Sequence, residues 1–274
     1  MVDLVGQLLE FEFMRNAFVA GAAVALLAGV TGYFVVLRGE TYAGHTLSVV
    51  GFPGAAGAVL VGVPQLVGLV AVCAASSLGI AALGRVTWER HGQSAAIGSI
   101  QAFALGLGFL FTSLYHGLLN GVTGILFGSV LGISQAQVIG LIVIAALVLA
   151  VMALIGRPFL YLSVDPEAAS SAGVPVGTIS IAFLLLLGLS VAATTLITGA
   201  LLVFAMLVLP AAAAQQLTTR PAAGIAISVV LGLAIVWLSL SVAFFLSDYP
   251  IGFFVTTFGL VLYLGCRGVR RLRP

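Results

Sequence analysis

The sequence contains very little charge. Only 7% of its 274 residues are charged, whereas a soluble domain of this length carries roughly 25%. Hydrophobic residues make up 62% of the chain, and the mean hydropathy is +1.27. This composition excludes a soluble globular enzyme, a disordered chain and a nucleic-acid-binding protein. A polytopic membrane protein remains, because long uncharged stretches are accommodated only by lipid or by one another.

Lysine is absent, and all ten basic residues are arginine. A P-loop needs a lysine that reaches the nucleotide phosphates, so this polypeptide does not itself hydrolyse ATP in the Walker manner. The two cysteines, Cys73 and Cys266, are far apart in the chain and do not form a metal-binding spacing. We therefore expect Cys73 and Cys266 to act as small apolar side chains. We also expect that this chain itself binds no cofactor.

The N-terminal segment lacks the positive charge with which a secretory signal begins. Asp3, Glu10 and Glu12 precede the first arginine of the chain. Apolar residues at near-helical spacing instead favour a short helix that lies on the membrane surface. The sequence thus predicts an interfacial segment over residues 1–14.

The distances between charged residues predict the number of membrane spans. A spanning helix needs about 20 apolar residues. The uncharged gaps hold one helix before Arg38, two in each of three long gaps, and one on either side of Asp248. The fold class is therefore predicted as all-α: a polytopic integral membrane helix bundle with about 8–9 transmembrane helices, forming a single transmembrane domain over residues 1–274.

The arginines predict the orientation of the chain. Arginine-rich loops stay in the cytoplasm, and every arginine except Arg15 can share that side if each long gap is crossed an even number of times. This parity corresponds to nine crossings, with the N-terminus outside and the C-terminus in the cytoplasm. Residues 267–274 would form a basic cytoplasmic tail.

Glycine and proline predict local helix geometry. Gly124, Gly128 and Gly132 recur at every fourth position, so they would lie on one face of a short outer helix packed closely against the bundle. Pro53 and Pro210 fall inside apolar runs, where they should kink or end their helices.

The most informative polar stretch, residues 157–177, carries the signals of a short capped helix. Asp165 is a good N-cap, Pro166 suits the first helical position, and Glu167 favours the positive end of the helix dipole. Gly173 then stops the helix. A helix of one or two turns is marginal in water, so it needs a docking partner. The alternative is a capped turn that only links two spans.

Six blocks of sequence occur in an order that is typical of one protein family. They are residues 13–17, 33–38, 126–132, 165–167 together with 173–175, 199–203 and 207–212. With these blocks the chain resembles the permease subunit of the bacterial metal-type ABC importers, which take up zinc, manganese or iron. The resemblance covers nearly the whole chain.

The resemblance implies a set of partners. It implies a second permease copy in a dimer, two ATPase subunits that bind ATP, and an extracytoplasmic metal-binding protein, all at the lipid of the cell membrane. Segment 157–177 becomes the cytoplasmic coupling segment on which the ATPase acts. The residues implied in this coupling are Asp165, Pro166, Glu167 and Gly173.

One motif departs from the family pattern. The family usually carries Gly-Asp-x-x-Ser-His-Ala at the start of the second span, with the acid and the histidine on one helical face. Here the acid position holds His45 and the histidine position holds Val49. His45, aided by Ser48 or Thr46, is the candidate metal contact in the translocation path, and an imidazole prefers a borderline metal to a hard one. The alternatives are a metal chelate as cargo, or an interfacial His45 beside neighbouring charges.

Other histidines and other classes of protein complete the alternatives. His116, in a predicted outer loop, is a candidate contact at the entry, whereas His91 beside Arg90 is expected to be solvated. A proton-coupled secondary transporter normally needs an ionisable residue at membrane depth, and His45 is the nearest candidate. An intramembrane protease needs two membrane aspartates or an activated Ser–His pair, and neither is evident in the predicted spans.

Overall fold

The computed structural model describes residues 11–86, 90–115, 124, 126, 128, 133–200, 202–246 and 249–272, without the side chains of residues 83–86, 90–97 and 272. Every regular element in these ranges is an α-helix. In chain order the helices are α1 (Glu12–Arg38), α2 (Thr41–Val61), α3 (Gln65–Val86), α4 (Arg90–Leu114), α5 (Gln135–Val164), α6 (Pro166–Ser171), α7 (Val176–Thr198), α8 (Val203–Leu217), α9 (Pro221–Phe245) and α10 (Ile251–Leu272).

These helices occupy the places of the predicted spans. Seven of them (α1, α2, α3, α5, α7, α9 and α10) contain stretches long and apolar enough to cross a membrane. Two shorter apolar stretches, Gly98–Leu114 within α4 and Val203–Leu217, take the places of the other two. The prediction of an all-α polytopic membrane bundle is confirmed. The predicted nine crossings correspond to seven helices of spanning length and two shorter ones.

Helix α1 is central in the described bundle. It packs against α5, α7, α8 and α9, and most of its side chains between Ala17 and Val35 are buried. A helix that is surrounded by others needs to be apolar on all sides, and α1 meets this condition. Helices α2, α3 and α7 contact one another, α4 covers α2, and α10 packs on α8 and α9.

A pair of glycines permits the close crossing of α2 and α3. A Cβ atom added at Gly54 would lie 2.7 Å from the Gly68 carbonyl oxygen, and one added at Gly68 would lie 2.6 Å from the Ala58 Cβ. Both distances are too short for any non-bonded carbon contact. Glycine lets membrane helices approach in this way, and the crossing holds α2, on which His45 lies, against α3.

Helix α8 begins inside the bundle because a buried turn precedes it. Its 15 residues extend over roughly 22 Å, which is less than the roughly 30 Å of the hydrocarbon core. Gly199, with φ 77°, ends α7, and Ala200 in the turn is fully buried. Irregular backbone at membrane depth is tolerated where protein encloses it, and this turn is enclosed.

The predicted stripe of three glycines is wrong at its central residue. Gly128 is not helical: its φ is 83°, and its N–H donates to the Gly124 carbonyl at 2.9 Å. A Cβ atom at Gly128 would lie 2.8 Å from the Thr198 carbonyl carbon. Gly128 therefore ends a helical turn against the backbone at the α7–α8 turn, so the glycines do not share one helical face. Gly132 lies outside the described residues.

Three prolines lie inside helices. Pro53 lies within α2 and Pro210 within α8, so neither ends its helix. Pro158 lies within α5, which continues to Val164. Residues 157–164 of the predicted cytoplasmic segment 157–177 are therefore the last two turns of α5.

Arginine side chains gather at one end of the described bundle. Arg270 Nη1 in α10 donates to Gln216 Oε1 at the end of α8, at 2.8 Å. The guanidinium of Arg38, at the end of α1, lies 5.0 Å from the ring centroid of Phe159 near the end of α5. Gln215 Nε2, also near the end of α8, donates to the Tyr33 carbonyl near the end of α1 at 3.1 Å. The C-terminal ends of α1, α5, α8 and α10 thus lie at one end of the bundle. This arrangement agrees with the common side predicted for the arginines, and the assignment of that side to the cytoplasm stays a prediction.

The ends of the chain are described in part. Of the predicted interfacial segment 1–14, residues 1–10 lie outside the described residues, and residues 12–14 form the first turn of α1. Residues 267–272 of the predicted basic tail are the last turns of α10. Asp248, on which one predicted loop depends, also lies outside the described residues.

Candidate functional site

The first candidate site lies in the first turns of α2, just after a tight turn from α1. Gly39 in this turn has φ 69°, and the Glu40 N–H donates to the Val35 carbonyl at 2.9 Å. Arg38 Nε donates to Glu40 Oε1 at 2.7 Å, which ties the end of α1 to the start of α2. His45 follows about one helical turn later.

The imidazole of His45 lies between α2, α4 and α8. Its Nε2 is 3.2 Å from the Nε2 of Gln101 in α4. Its ring meets the ring of Phe204 in α8 edge to face, with 5.1 Å between the centroids. Its Nδ1 is buried and has no hydrogen-bond partner among the described residues. A buried polar atom without a partner costs roughly 1–3 kcal/mol, so Nδ1 is the atom of this side chain that is left to bind a ligand.

Two hydroxyl groups flank the imidazole on α2. Thr46 Oγ1 donates to the Tyr42 carbonyl at 3.0 Å and lies 3.5 Å from Gln101 Oε1. Ser48 Oγ donates to the His45 backbone carbonyl at 2.7 Å, so Ser48 offers only its oxygen lone pairs to a ligand. Both side chains are buried. We refer to His45, Thr46 and Gln101 as the His45 cluster.

One described chain does not contain a closed metal site. Val49, at the histidine position of the family motif, is buried with 4% exposure, and it brings no ligand to His45. Among the residues that the structure describes, no three His, Cys, Asp or Glu side chains come together. A closed site needs three or four protein ligands. Within one described chain, the His45 cluster therefore offers too few ligands for a closed metal site, and the role of His45 as a metal contact stays a prediction.

The second candidate site is α6. The Asp165 carboxylate accepts from the Ala168 N–H at 2.9 Å, and Pro166 occupies the first helical position. The helix ends at Ser171, and Gly173 has φ 82°. The sequence predicts this cap, first turn and stop, and the structure contains all three. The coupling role of these residues stays a prediction.

Helix α6 is anchored on one side and open on the other. Ala169 is fully buried where α6 packs on α5 and α7, and its carbonyl accepts from the Val174 N–H at 3.0 Å. Asp165, Glu167 and Gly173 are exposed, and so is Pro166. Packing on the bundle supplies the stability that a six-residue helix lacks in water. An exposed surface remains at the arginine-rich end.

Aromatic and ionic contacts connect the last turns of α5, just before α6, with the start of α2. Phe159, two turns before α6, stacks on Phe183 of α7 with 4.4 Å between the centroids. The guanidinium of Arg38 lies 5.0 Å from the same Phe159 ring, and Arg38 also pairs with Glu40. One arginine therefore joins the end of α5 to the helix that carries His45.

A bundle of helices of spanning length, with a buried polar cluster and a small docked helix at its arginine-rich end, has the architecture of a multi-pass membrane protein. The model of the ABC 3 transport family matches residues 10–267. The chain belongs to this family. The resemblance that the six sequence blocks indicate is confirmed. Membership of this family removes the two rival hypotheses, a secondary transporter and an intramembrane protease, and makes the chain a transporter subunit of the cell membrane.

Similar proteins cover most of the chain. The manganese transport system membrane protein MntC of Halalkalibacterium halodurans is 33% identical over 215 residues, which is 78% of this chain and 73% of that protein. A probable iron transport system membrane protein of Haemophilus influenzae is 31% identical over 218 residues, 80% of this chain and 79% of that protein. The solved structure of PsaBC from Streptococcus pneumoniae in complex with Fab covers 100% of this chain and 99% of its own, with a TM-score of 0.87 and 22% identity. This last likeness shows the fold.

Sequence reasoning missed two residues that contact His45. Gln101 had a signal in the sequence, since its side-chain amide lies in the long uncharged gap between Arg90 and Arg157 in which two spans are predicted. Nothing in the sequence distinguishes Phe204 from the other phenylalanines among the 17 in the chain, because only the fold brings it to the imidazole. The side chains of His91 and His116, the other histidines weighed from the sequence, lie outside the described residues.

Proposed function

We propose that this chain is the transmembrane permease subunit of an ATP-binding-cassette importer that moves a divalent metal ion across the cell membrane. The observation that carries the proposal is the family match over residues 10–267. The manganese and iron transport proteins among its relatives support a metal cargo. ATP is bound and hydrolysed by a separate ATPase subunit, since the chain has no lysine for a P-loop.

The exposed surface of α6 is the docking site for that ATPase. It lies at the end of the bundle where the arginines gather, which is the cytoplasmic end if arginine-rich loops stay inside. Movement of the ATPase subunits pushes on this surface, and α5 and α7 transmit the push because Ala169 is buried against them. The coupling residues in this proposal are Asp165, Pro166, Glu167 and Gly173.

The His45 cluster is the contact for the cargo ion. Nδ1 of His45 is a buried nitrogen without a hydrogen-bond partner in the part of the chain that the structure describes, and the Ser48 oxygen lies about one turn further along α2. One histidine per chain is too few for a closed site, so a dimer of two permease copies makes brief contacts, which suit transport because release must be easy. The ion reaches Nδ1 when α2 moves against α4 or α8, as alternating access requires. A binding protein outside the cell delivers the ion.

The chemistry of the contact favours a borderline metal. Carboxylate ligands suit manganese, whereas imidazole suits zinc and iron. Since His45 stands where the family usually has an acid, we expect zinc or iron(II) to be transported in preference to manganese.

Metal uptake tests this proposal. Cells that lack their own importers would express the chain with its ATPase and binding-protein partners, and uptake of radioactive zinc, iron(II) and manganese would be compared. We expect His45→Ala to reduce zinc uptake roughly tenfold, which corresponds to the loss of about 1.4 kcal/mol of interaction. The matched control is His91→Ala, the same change about three turns before Gln101 on α4, which should retain wild-type uptake.

Each other outcome contradicts a part of the proposal. Uptake that continues without the ATPase partner would refute ATP-driven import. Equal zinc uptake by wild type and His45→Ala would remove His45 from the path. Uptake of metal chelates but of no free ion would refute the divalent ion as cargo.

A further inference from the structure

Gln101 contacts His45 across the interface between α2 and α4. Two nitrogen atoms, Nε2 of Gln101 and Nε2 of His45, face each other at 3.2 Å. An amide nitrogen can only donate, so in this arrangement the imidazole Nε2 accepts and the ring proton lies on Nδ1. Nδ1 then carries a buried N–H that has no acceptor among the described residues. A nitrogen in this state cannot bind a cation.

Rotation of the Gln101 amide by 180° reverses these roles. Its Oε1 then accepts from the His45 Nε2–H, and its nitrogen donates to Thr46 Oγ1, which lies 3.5 Å from the present position of Oε1. Thr46 is able to accept because its own hydrogen is donated to the Tyr42 carbonyl at 3.0 Å. Each group then donates to the next one, from His45 through Gln101 and Thr46 to the Tyr42 carbonyl. The second ring nitrogen of His45, Nδ1, then carries a lone pair and no hydrogen.

Only the rotated arrangement can bind a cation. Histidines that bind metals donate their other ring N–H to a carbonyl, a carboxylate or a water, and this second contact sets the tautomer and the ring orientation. We propose that Gln101 is a positioning residue whose amide orientation selects the tautomer of His45, and so decides whether Nδ1 is presented to the cargo ion. This inference rests on the proposed function, because Gln101 acts through His45, the side chain that is proposed to contact the ion.

An amide suits this role in a transporter better than a carboxylate does. A carboxylate at residue 101 would only accept, so it would hold the His45 proton on Nε2 and increase the basicity of Nδ1. The ion would bind more tightly and leave more slowly. An apolar side chain at residue 101 would make no hydrogen bond to Nε2 of His45, so it would favour neither tautomer. Gln101→Glu and Gln101→Leu should therefore change ion binding in opposite directions.

Nitrogen NMR of the assembled transporter in lipid nanodiscs reports the tautomer directly. Protonated and unprotonated ring nitrogens have different chemical shifts, and the spectrum of His45→Ala identifies the His45 signals by subtraction. We expect zinc to shift His45 to the tautomer with the proton on Nε2. Gln101→Leu should reduce this shift, whereas Gln101→Glu should show the same tautomer before zinc is added.

Zinc uptake kinetics supply a second readout. We expect Gln101→Leu to raise the half-saturating zinc concentration about 10–100-fold, the usual effect of losing such a second contact. Gln101→Glu should lower the half-saturating concentration and also lower the maximal rate. The matched control is Gln135→Leu, at an exposed position at the start of α5, which should leave both parameters unchanged.

The outcomes separate this inference from the proposed function. If His45→Ala impairs uptake while both Gln101 variants behave as wild type, the role of Gln101 is refuted and the ion contact stands. If His45→Ala has no effect, the ion contact fails, and the role of Gln101 fails with it. If both Gln101 variants lose uptake equally with an unchanged His45 tautomer, Gln101 is only structural and the inference is overturned.

Discussion

Replacement of Arg38 by methionine tests the connection between the arginine-rich end of the bundle and α2. Arg38 Nε donates to Glu40 Oε1 at 2.7 Å, and the two side chains are only 17% and 27% exposed. The guanidinium also lies 5.0 Å from the ring centroid of Phe159. Methionine keeps an unbranched apolar chain of similar reach, so the substitution removes the charge and the planar group with little change in packing.

The expected cost follows from the partial burial of this ion pair. Breaking a fully buried pair costs about 3–5 kcal/mol, and an exposed pair contributes at most about 1 kcal/mol, so we expect about 2 kcal/mol here. Loss of the cation–π contact with Phe159 adds about 1 kcal/mol. Part of the cost arises because Glu40 keeps its charge without a partner, since its Oε2 already has none among the described residues. The double variant Arg38→Met with Glu40→Gln should therefore be more stable than Arg38→Met alone, by about 1 kcal/mol.

Thermal unfolding of the purified chain in detergent measures these differences. A loss of 3 kcal/mol corresponds to a decrease in Tm of about 6–12 °C for a chain of this size. Arg38→Lys keeps the charge but not the planar guanidinium, so it should lose about 1 kcal/mol. In the assembled transporter, Arg38→Met should lower uptake more than it lowers ATP hydrolysis, because the path from α5 to α2 is interrupted.

Two results would refute this reasoning. If Arg38→Met and the double variant have the same Tm, the unpaired carboxylate of Glu40 is not the source of the cost. If uptake and ATP hydrolysis decrease in proportion, Arg38 contributes to stability alone and does not link the two ends.

Three further predictions concern the coupling helix, the metal preference and the topology. Glu167→Arg should uncouple ATP hydrolysis from uptake without lowering the Tm of the chain, because Glu167 is exposed; wild-type uptake and ATPase binding would make α6 a simple linker. His45→Asp with Val49→His should shift the ratio of zinc to manganese uptake towards manganese, since a carboxylate is the harder ligand; an unchanged ratio would contradict the role of His45 in selectivity. A reporter enzyme fused to the C-terminus should be active only in the cytoplasm, and activity outside the cell would invert the predicted orientation.

The membrane spans were predictable because lipid acts on each helix separately. A charge is costly inside hydrocarbon wherever it occurs, so the intervals between charged residues indicate where apolar helices can lie. Helix α6 was predictable for a similar reason. Asp165 caps a helix through its own next residues, and Gly173 adopts a positive φ at the stop, so both signals are local. Contacts elsewhere in the fold are not needed for either.

The prediction that failed, the stripe of three glycines, depended on contacts between distant segments. Regular spacing suggested a helical face for Gly128, but its conformation is set by the α7–α8 turn, which lies some 70 residues away in the chain. The continuation of α5 through Pro158 likewise depends on packing, because Phe159 in its last turns is fully buried against its neighbours. Spacing within one segment carries no information about such partners.

The same division explains the candidate site. Composition, charge spacing and ordered motifs suffice for the class of protein, for the family and for His45 as the residue that replaces an acid, because each depends on residues near one another in the chain or on the lipid around it. The folded bundle was required to place Gln101 and Phe204 against the imidazole and to leave Nδ1 without a partner among the described residues. These contacts join α2, α4 and α8, and the depth at which α8 begins is decided by a buried turn that glycines and close helix packing permit.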